Sequence, residues 1–164
     1  MSNYTAVITG GSKGIGADLA QRLLERGYRV ISIARGKPEW DGEGAQHIEA
    51  DLLDSASVAA VAADIAARYD VTHLVHNAGL IWPNLIEDAK PEDITGLAQL
   101  HLGSALTLLQ AFLPNMKERG FGRVMFNASR AALGAPTRTA YSASKAGMIG
   151  MARTWALELA PHGI

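Results

Sequence analysis

A chain of 164 residues, 48% apolar and 19% charged, is long enough for one domain with a sizeable core and too apolar for disorder. Its 15 basic and 16 acidic residues leave a net charge of −1 and no basic run, which argues against electrostatic attraction to nucleic acid or an anionic membrane. The chain has no cysteine, which excludes disulfides, thiolate catalysis and cysteine-ligated metal and agrees with a reducing compartment.

The opening MSNYTAVITGG lacks the basic and long apolar regions of a signal peptide. No run of about 18 consecutive apolar residues follows to span a bilayer, so a cytoplasmic protein is expected. In chain order, TAVIT (5–9) predicts a strand, 15–26 a helix stopped by Gly27, and RVISIA (29–34) a second strand. Residues 35–46 hold Gly36, Pro38, Gly42 and Gly44 and read as a loop before a short strand at 47–50. Asp54 or Ser55 can cap an alanine-rich helix running to about Tyr69. THLVHNAG (72–79) begins as a strand and ends in a turn. Pro91 suits the first turn of a long helix, irregular at its start, that reaches about Glu118. GRVMFNAS (122–129) predicts a fifth strand, and 141–160 a last helix stopped by Pro161. Strands alternating with helices predict an α/β fold, a Rossmann-like doubly wound parallel sheet in three α/β/α layers, forming one dinucleotide-binding domain over residues 1–164.

The first strand runs straight into TGGSKGIG, which spaces Gly10, Gly14 and Gly16 as G-x-x-x-G-x-G. Glycine is wanted there for a tight turn, for close approach of backbone to a pyrophosphate, and for close helix–strand packing. The helix that follows presents free N–H groups and a positive dipole end to the phosphates.

TGGSKGIG resembles the T-G-x-x-x-G-x-G signature of the short-chain dehydrogenase/reductase family, and the resemblance extends along the chain. HNAG (76–79) is similar to the family's N-A-G motif, Asp51 to its adenine-contacting acid, NAS (127–129) to its serine-bearing strand end, and Tyr141-x-x-x-Lys145 to its catalytic pair. The resemblance implies cofactor contacts from Gly10, Ser12, Lys13, Gly14, Ile15, Gly16, Arg35, Asp51, Leu52, Asn77, Ala78, Gly79, Tyr141 and Lys145.

The second strand ends in Ala34 and Arg35, without the carboxylate that usually meets an unphosphorylated ribose. The guanidinium fork of Arg35 suits a phosphate, and Lys13 can add a second charge, so NADP(H) is preferred and NAD(H) is the alternative.

Tyr141 and Lys145 share one helix face. A free phenol titrates near 10, and a neighbouring ammonium favours the phenolate, so the pair can act as general acid or base on a carbonyl or alcohol. The resemblance assigns Ser129 to polarise the substrate oxygen and gives Lys145 a second duty at the nicotinamide ribose. Where many relatives carry an asparagine in the long helix, this chain has His101, for which a proton relay and a structural role both stand open. No histidine–carboxylate pair adjoins Ser142 or Ser144, and no H-E-x-x-H spacing occurs, so neither a hydrolase triad nor a metal site is expected.

Apolar residues from Leu97 to Met116, and again from Tyr141 to Ala160, wrap more of each helix than one core stripe needs. Relatives pair these helices, which implies a homodimer or homotetramer. Family members also continue through two more strands and a substrate-covering segment, so a stop at Ile164 suggests a truncated form with its C-terminal substrate-binding part absent. The function implied is hydride transfer between nicotinamide and a small ketone or secondary alcohol, with 3-oxoacyl-thioester reduction common among look-alikes. An NAD-dependent alcohol dehydrogenase and a catalytically silent nucleotide-binding or oligomerising domain are the alternatives.

Overall fold

Five short apolar runs form five parallel strands: β1 (Thr5–Thr9), β2 (Arg29–Ala34), β3 (Ala45–Glu49), β4 (His73–His76) and β5 (Arg123–Phe126). The computed structural model describes residues 3–164; Met1 and Ser2, at the head of the segment that lacks leader features, lie outside the described residues. Helices α1 (Gly14–Glu25), α2 (Ser55–Arg68), α3 (Pro91–Ala98), α4 (Ser104–Arg119) and α5 (Thr139–Leu159) connect or follow them. All five residues of β1 are buried, as expected of a central parallel strand covered on both faces.

Strand parity separates two cores, because successive side chains point to opposite faces. Val7, Ile31, Ile33 and Leu74 join Val58 and Ile65 of α2 and Leu108, Phe112 and Met116 of α4 on one face. Ile8, Val30 and Val75 join Ala20 of α1 and Trp40 on the other. Each fully buried side chain of this size contributes about 1.5–3 kcal/mol.

The sheet order is β3-β2-β1-β4-β5. The chain builds outward from β1 to β3, then crosses back to place β4 on the other side of β1. This reversal opens a crevice beyond the carboxyl ends of β1 and β4, where open α/β sheets bind ligands. Thr9 lies there opposite Ile33 on one side and His76 on the other.

Three predicted elements form differently in detail. The third strand starts at Ala45 rather than at residue 47, because Gly44, at φ 84°, turns the chain and its carbonyl accepts from Val30 N–H. The fifth strand ends at Phe126. Asn127 N–H still donates to the His76 carbonyl, but Ala128 N–H then turns back to Phe126, so Ser129 stands beyond the strand. The irregularity of the long helix lies inside it, as a π-helical turn at Gln99–Gly103 between α3 and α4. There the Leu100 carbonyl receives the Ser104 hydroxyl at 2.6 Å and the His76 ring at 3.1 Å, side-chain donors that hold the widened turn. By length and composition Pro91–Arg119 could cross a bilayer, with mean hydropathy 1.2, yet its Leu97, Leu108, Phe112 and Met116 are buried in the core described above.

Candidate functional site

The glycine turn forms as β1 meets α1. Gly10 and Gly14 take left-handed φ values of +67° and +57°, which glycine adopts without a Cβ clash. Gly16 is required by proximity: a Cβ there would lie 2.2 Å from the Gly10 carbonyl oxygen and 2.7 Å from Asn77 Nδ2. A Cβ at Gly14 would meet nothing within 4 Å, so this side of the turn faces open space.

That space is a cavity of about 790 Å³. Gly10, Ser12, Lys13, Gly14, Arg35, Asp51, Leu52, Asn77, Ala78 and Gly79, all expected from the sequence, line it. Ile15 stands beside it, 71% exposed, and Gly16 is buried behind the turn. Tyr141 and Lys145 are outside its wall. Gly36, Lys37, Glu39 and Trp40, to which the sequence assigns no role, also line it.

The cavity fits a dinucleotide. At the start of α2 the Asp54 carboxylate accepts from Ala56 N–H at 2.9 Å and Ser57 N–H at 3.3 Å. The start of α1 has no capping side chain and no acid in its first turn, so its orphan amides remain available to an anion. Arg35 and Lys37 put cations on the same wall, and Asp51 is anchored by accepting from Leu53 N–H at 3.0 Å.

Hydrogen bonds tie this cavity to α5. Lys145 is 3% exposed, and its Nζ donates to the Asn127 carbonyl at 2.7 Å. Asn127 Nδ2 donates to Asn77 Oδ1 at 2.9 Å, and Asn77 Nδ2 reaches the Thr9 and Gly10 carbonyls at 3.2 Å each. The ammonium lies 5.7 Å from the centre of the Tyr141 ring. Burial pushes the Lys145 pKa down to about 8, so the charged form still predominates at neutral pH. Ser129 Oγ accepts from Ala131 N–H at 3.2 Å, capping a short 3₁₀ turn (Arg130–Leu133) packed against α5, and its own O–H stays free to donate.

His101 is fully buried beneath this pair. Its Nδ1 lies 2.8 Å from Ser144 Oγ, whose hydroxyl donates to the Tyr141 carbonyl at 2.9 Å. The serine has one proton to give, so Nδ1 carries the imidazole proton and Nε2 presents a lone pair. Nε2 is buried without a hydrogen-bond partner and lies 3.2 Å from where a Gly79 Cβ would stand. Burial foremost, then the charges of Lys145 and His76, pushes the His101 pKa down to about 3. The ring is therefore neutral at any physiological pH. His76 is likewise pushed down to about 4, chiefly by burial.

Segments 80–85 and 131–138 meet at a bridge between Asn84 and Arg138. Asn84 N–H donates to the carbonyl of Thr137, whose φ of 62° is strained for a β-branched residue just before α5. Among the described residues, no three His, Asp or Glu side chains gather as for a metal ion. The sequence assigns no site role to Lys37, Trp40, His76 or Asn127, although His76 and Asn127 stand inside the quoted HNAG and NAS motifs and Lys37 is a cation two positions beyond Arg35.

A family model described as short chain dehydrogenase matches residues 4–164. The chain is 32% identical to D-beta-hydroxybutyrate dehydrogenase of Rhizobium meliloti, over 98% of this chain and 67% of that protein. It is 31% identical to a 3-oxoacyl-(acyl-carrier-protein) reductase of Escherichia coli, over 97% of this chain and 68% of that protein. Among solved structures it is similar to a candidate NAD(P)-dependent gluconate 5-dehydrogenase of Beutenbergia cavernae with NADP bound at low occupancy, at TM-score 0.89 and 30% identity, covering 99% of this chain and 69% of that one. The chain thus spans about two thirds of the length of the relatives it matches.

Proposed function

Because the chain belongs to the short-chain dehydrogenase family, and so is an oxidoreductase that uses a nicotinamide cofactor on a small-molecule substrate, we propose that it is an NADP(H)-dependent carbonyl reductase or alcohol dehydrogenase. The observation that carries this reading is the buried Lys145 ammonium, held beside the Tyr141 ring and linked through Asn127 and Asn77 to the glycine turn.

The α1 N-terminus with Ser12 and Lys13 would hold the pyrophosphate. Arg35, joined by Lys37, would take the ribose 2′-phosphate, and Asp51 with Leu52 the adenine. Asn77, Ala78 and Gly79 would border the path toward the nicotinamide end, where Lys145 would reach the second ribose. When bound, the nicotinamide supplies or accepts the hydride.

The remaining chemistry falls to the chain. In the reducing direction, the Ser129 hydroxyl donates to the substrate carbonyl oxygen and polarises it. The Tyr141 phenol gives its proton to that oxygen as the alcohol forms, and the resulting phenolate is stabilised by the Lys145 ammonium. Lys145, titrating near 8, can return the proton and regain one from solvent. Oxidation of an alcohol runs the same transfers backward. His101 orients the start of α5 through Ser144 and does not ionise, which favours the structural role over a relay through an imidazolium.

The similarity to 3-oxoacyl reductases favours a 3-oxoacyl thioester or a comparable small ketone as substrate. Leu106, 41% exposed on α4, and Leu157, 81% exposed on α5, leave apolar surface that supports a homodimer or homotetramer through segments 97–116 and 141–160. Calorimetric titration of the protein with NADP+ and NAD+ tests the cofactor. NADP+ should bind at least about tenfold more tightly, the gain of one charge-assisted phosphate contact. Equal or reversed affinities would return the NAD-dependent alternative.

A further inference from the structure

The β2–β3 loop, residues 35–44, brings Arg35, Gly36, Lys37, Glu39 and Trp40 to the cavity wall. Three of its residues are glycines, and Trp40 alone among the ten is buried, at 7% exposure. The indole ends in three environments at once. It is buried with Ile8, Ala20, Val30 and Val75 in the core on the α1 side of the sheet. It also lines the cavity. Its Nε1–H donates to the Gly11 carbonyl at 2.7 Å, a buried bond spanning 29 positions of the chain.

Gly11 has no part in the G-x-x-x-G-x-G spacing, yet the structure leaves no room for a side chain on it. A Cβ there would lie 2.7 Å from Ser32 Oγ and 3.0 Å from Ser32 Cβ. The peptide is thus pressed onto β2 at its Cα and held from the loop at its carbonyl. The indole bond is the cross-link between the wall that carries the cations and the turn that faces the phosphates.

We propose that Trp40 is a cofactor-positioning residue: its indole clamps the β2–β3 loop to the Gly11 carbonyl and so pre-orders Arg35 and Lys37 at the phosphate-bearing end of the cavity. A loop with three glycines and no other buried anchor loses considerable freedom when its cations converge on a ligand. The clamp meets that ordering cost during folding, so less is subtracted from the affinity. The inference rests on the nicotinamide-cofactor reading, and its NADP-specific part on the preference proposed above.

The test compares the wild-type protein with Trp40→Phe, which keeps most of the packing and removes the N–H. The probe is adenosine 2′,5′-bisphosphate, followed by calorimetry, with NADPH kinetics alongside. Loss of a buried donor that leaves a carbonyl unpaired should weaken bisphosphate binding and raise the NADPH KM by about tenfold. The kcat at saturating NADPH should stay within about twofold, because Tyr141 and Lys145 are untouched. Unchanged bisphosphate affinity in a folded Trp40→Phe protein overturns the clamp, and so does an equal fall in kcat.

A second measurement keeps native Trp40. With Trp82 and Trp155 replaced by Phe, bisphosphate should change the emission of the remaining indole, and a silent emission in a protein that binds the probe overturns the proposal. Wild-type protein that binds NAD+ but not the bisphosphate contradicts the NADP preference. The clamp is then read from NAD+ titrations of the same two proteins, where a tenfold loss in Trp40→Phe still supports it and no loss removes it.

Discussion

Replacing Tyr141 with Phe should lower kcat by about 10²–10⁴-fold while NADPH affinity stays within about threefold, the range expected when a general acid is lost and binding is not. Phe keeps the ring that packs against the core and faces His101 at 5.7 Å, so the fold is left nearly as it was. What disappears is the phenolic proton that the proposed reaction gives to the substrate oxygen. His101→Ala should behave differently. The imidazole is neutral, buried and bonded to Ser144, so on the proposed structural role its loss should disturb the start of α5 and leave the proton transfer in place. Measurable turnover should survive in His101→Ala and be nearly absent in Tyr141→Phe, with both read by steady-state kinetics. Equal losses in the two variants would show that the proton travels by another route.

Arg35→Asp should move cofactor preference from NADP(H) toward NAD(H) by about a hundredfold or more. On the proposed NADP(H) reading the variant removes charge-assisted hydrogen bonds to the 2′-phosphate, roughly 1.5–3 kcal/mol, and puts a like charge in their place. The new carboxylate can accept from a free ribose hydroxyl, so NAD(H) affinity should hold or improve. Arg35 is exposed and the cavity wall lacks any close ion-pair partner for it among the described salt bridges, so its removal should not disturb the fold. Lys37 on the same wall will retain part of the phosphate interaction, which limits the switch. The ratio of kcat/KM values for the two cofactors checks it, and an unchanged ratio would mean that Arg35 is a solvated surface cation.

Features governed by local spacing are legible in the sequence itself. The alternation of strand and helix, the glycine turn and the four-residue step from Tyr141 to Lys145 each follow from the short-range geometry of a helix, strand or turn. The sequence narrows the α2 cap to Asp54 or Ser55, and the structure takes Asp54, whose oxygen reaches amides two and three positions ahead.

What escapes depends on chain segments that meet only after folding. The Trp40–Gly11 and Asn127–Lys145 bonds span 29 and 18 positions, and neither partner's residue type announces the other. In the sequence Asn127 stands out only as the neighbour of Ser129, although its carbonyl and amide connect α5 to Asn77. The π turn shows there only as an irregular start, since its cause lies in the His76 ring on a different element. The neutrality of His101 also belongs to the fold, because burial and then the Lys145 charge set it. A relay and a structural role are therefore equally open in the sequence, and the packed site favours the second.

Whether this chain turns over carbonyl compounds with NADPH is tested most directly by NADPH consumption of the wild-type protein across a panel of small ketones and 3-oxoacyl thioesters. Substrate-dependent consumption, with the alcohol recovered as product, is the predicted result. Tight NADPH binding with no consumption on any member of the panel would contradict it and leave a silent nucleotide-binding domain.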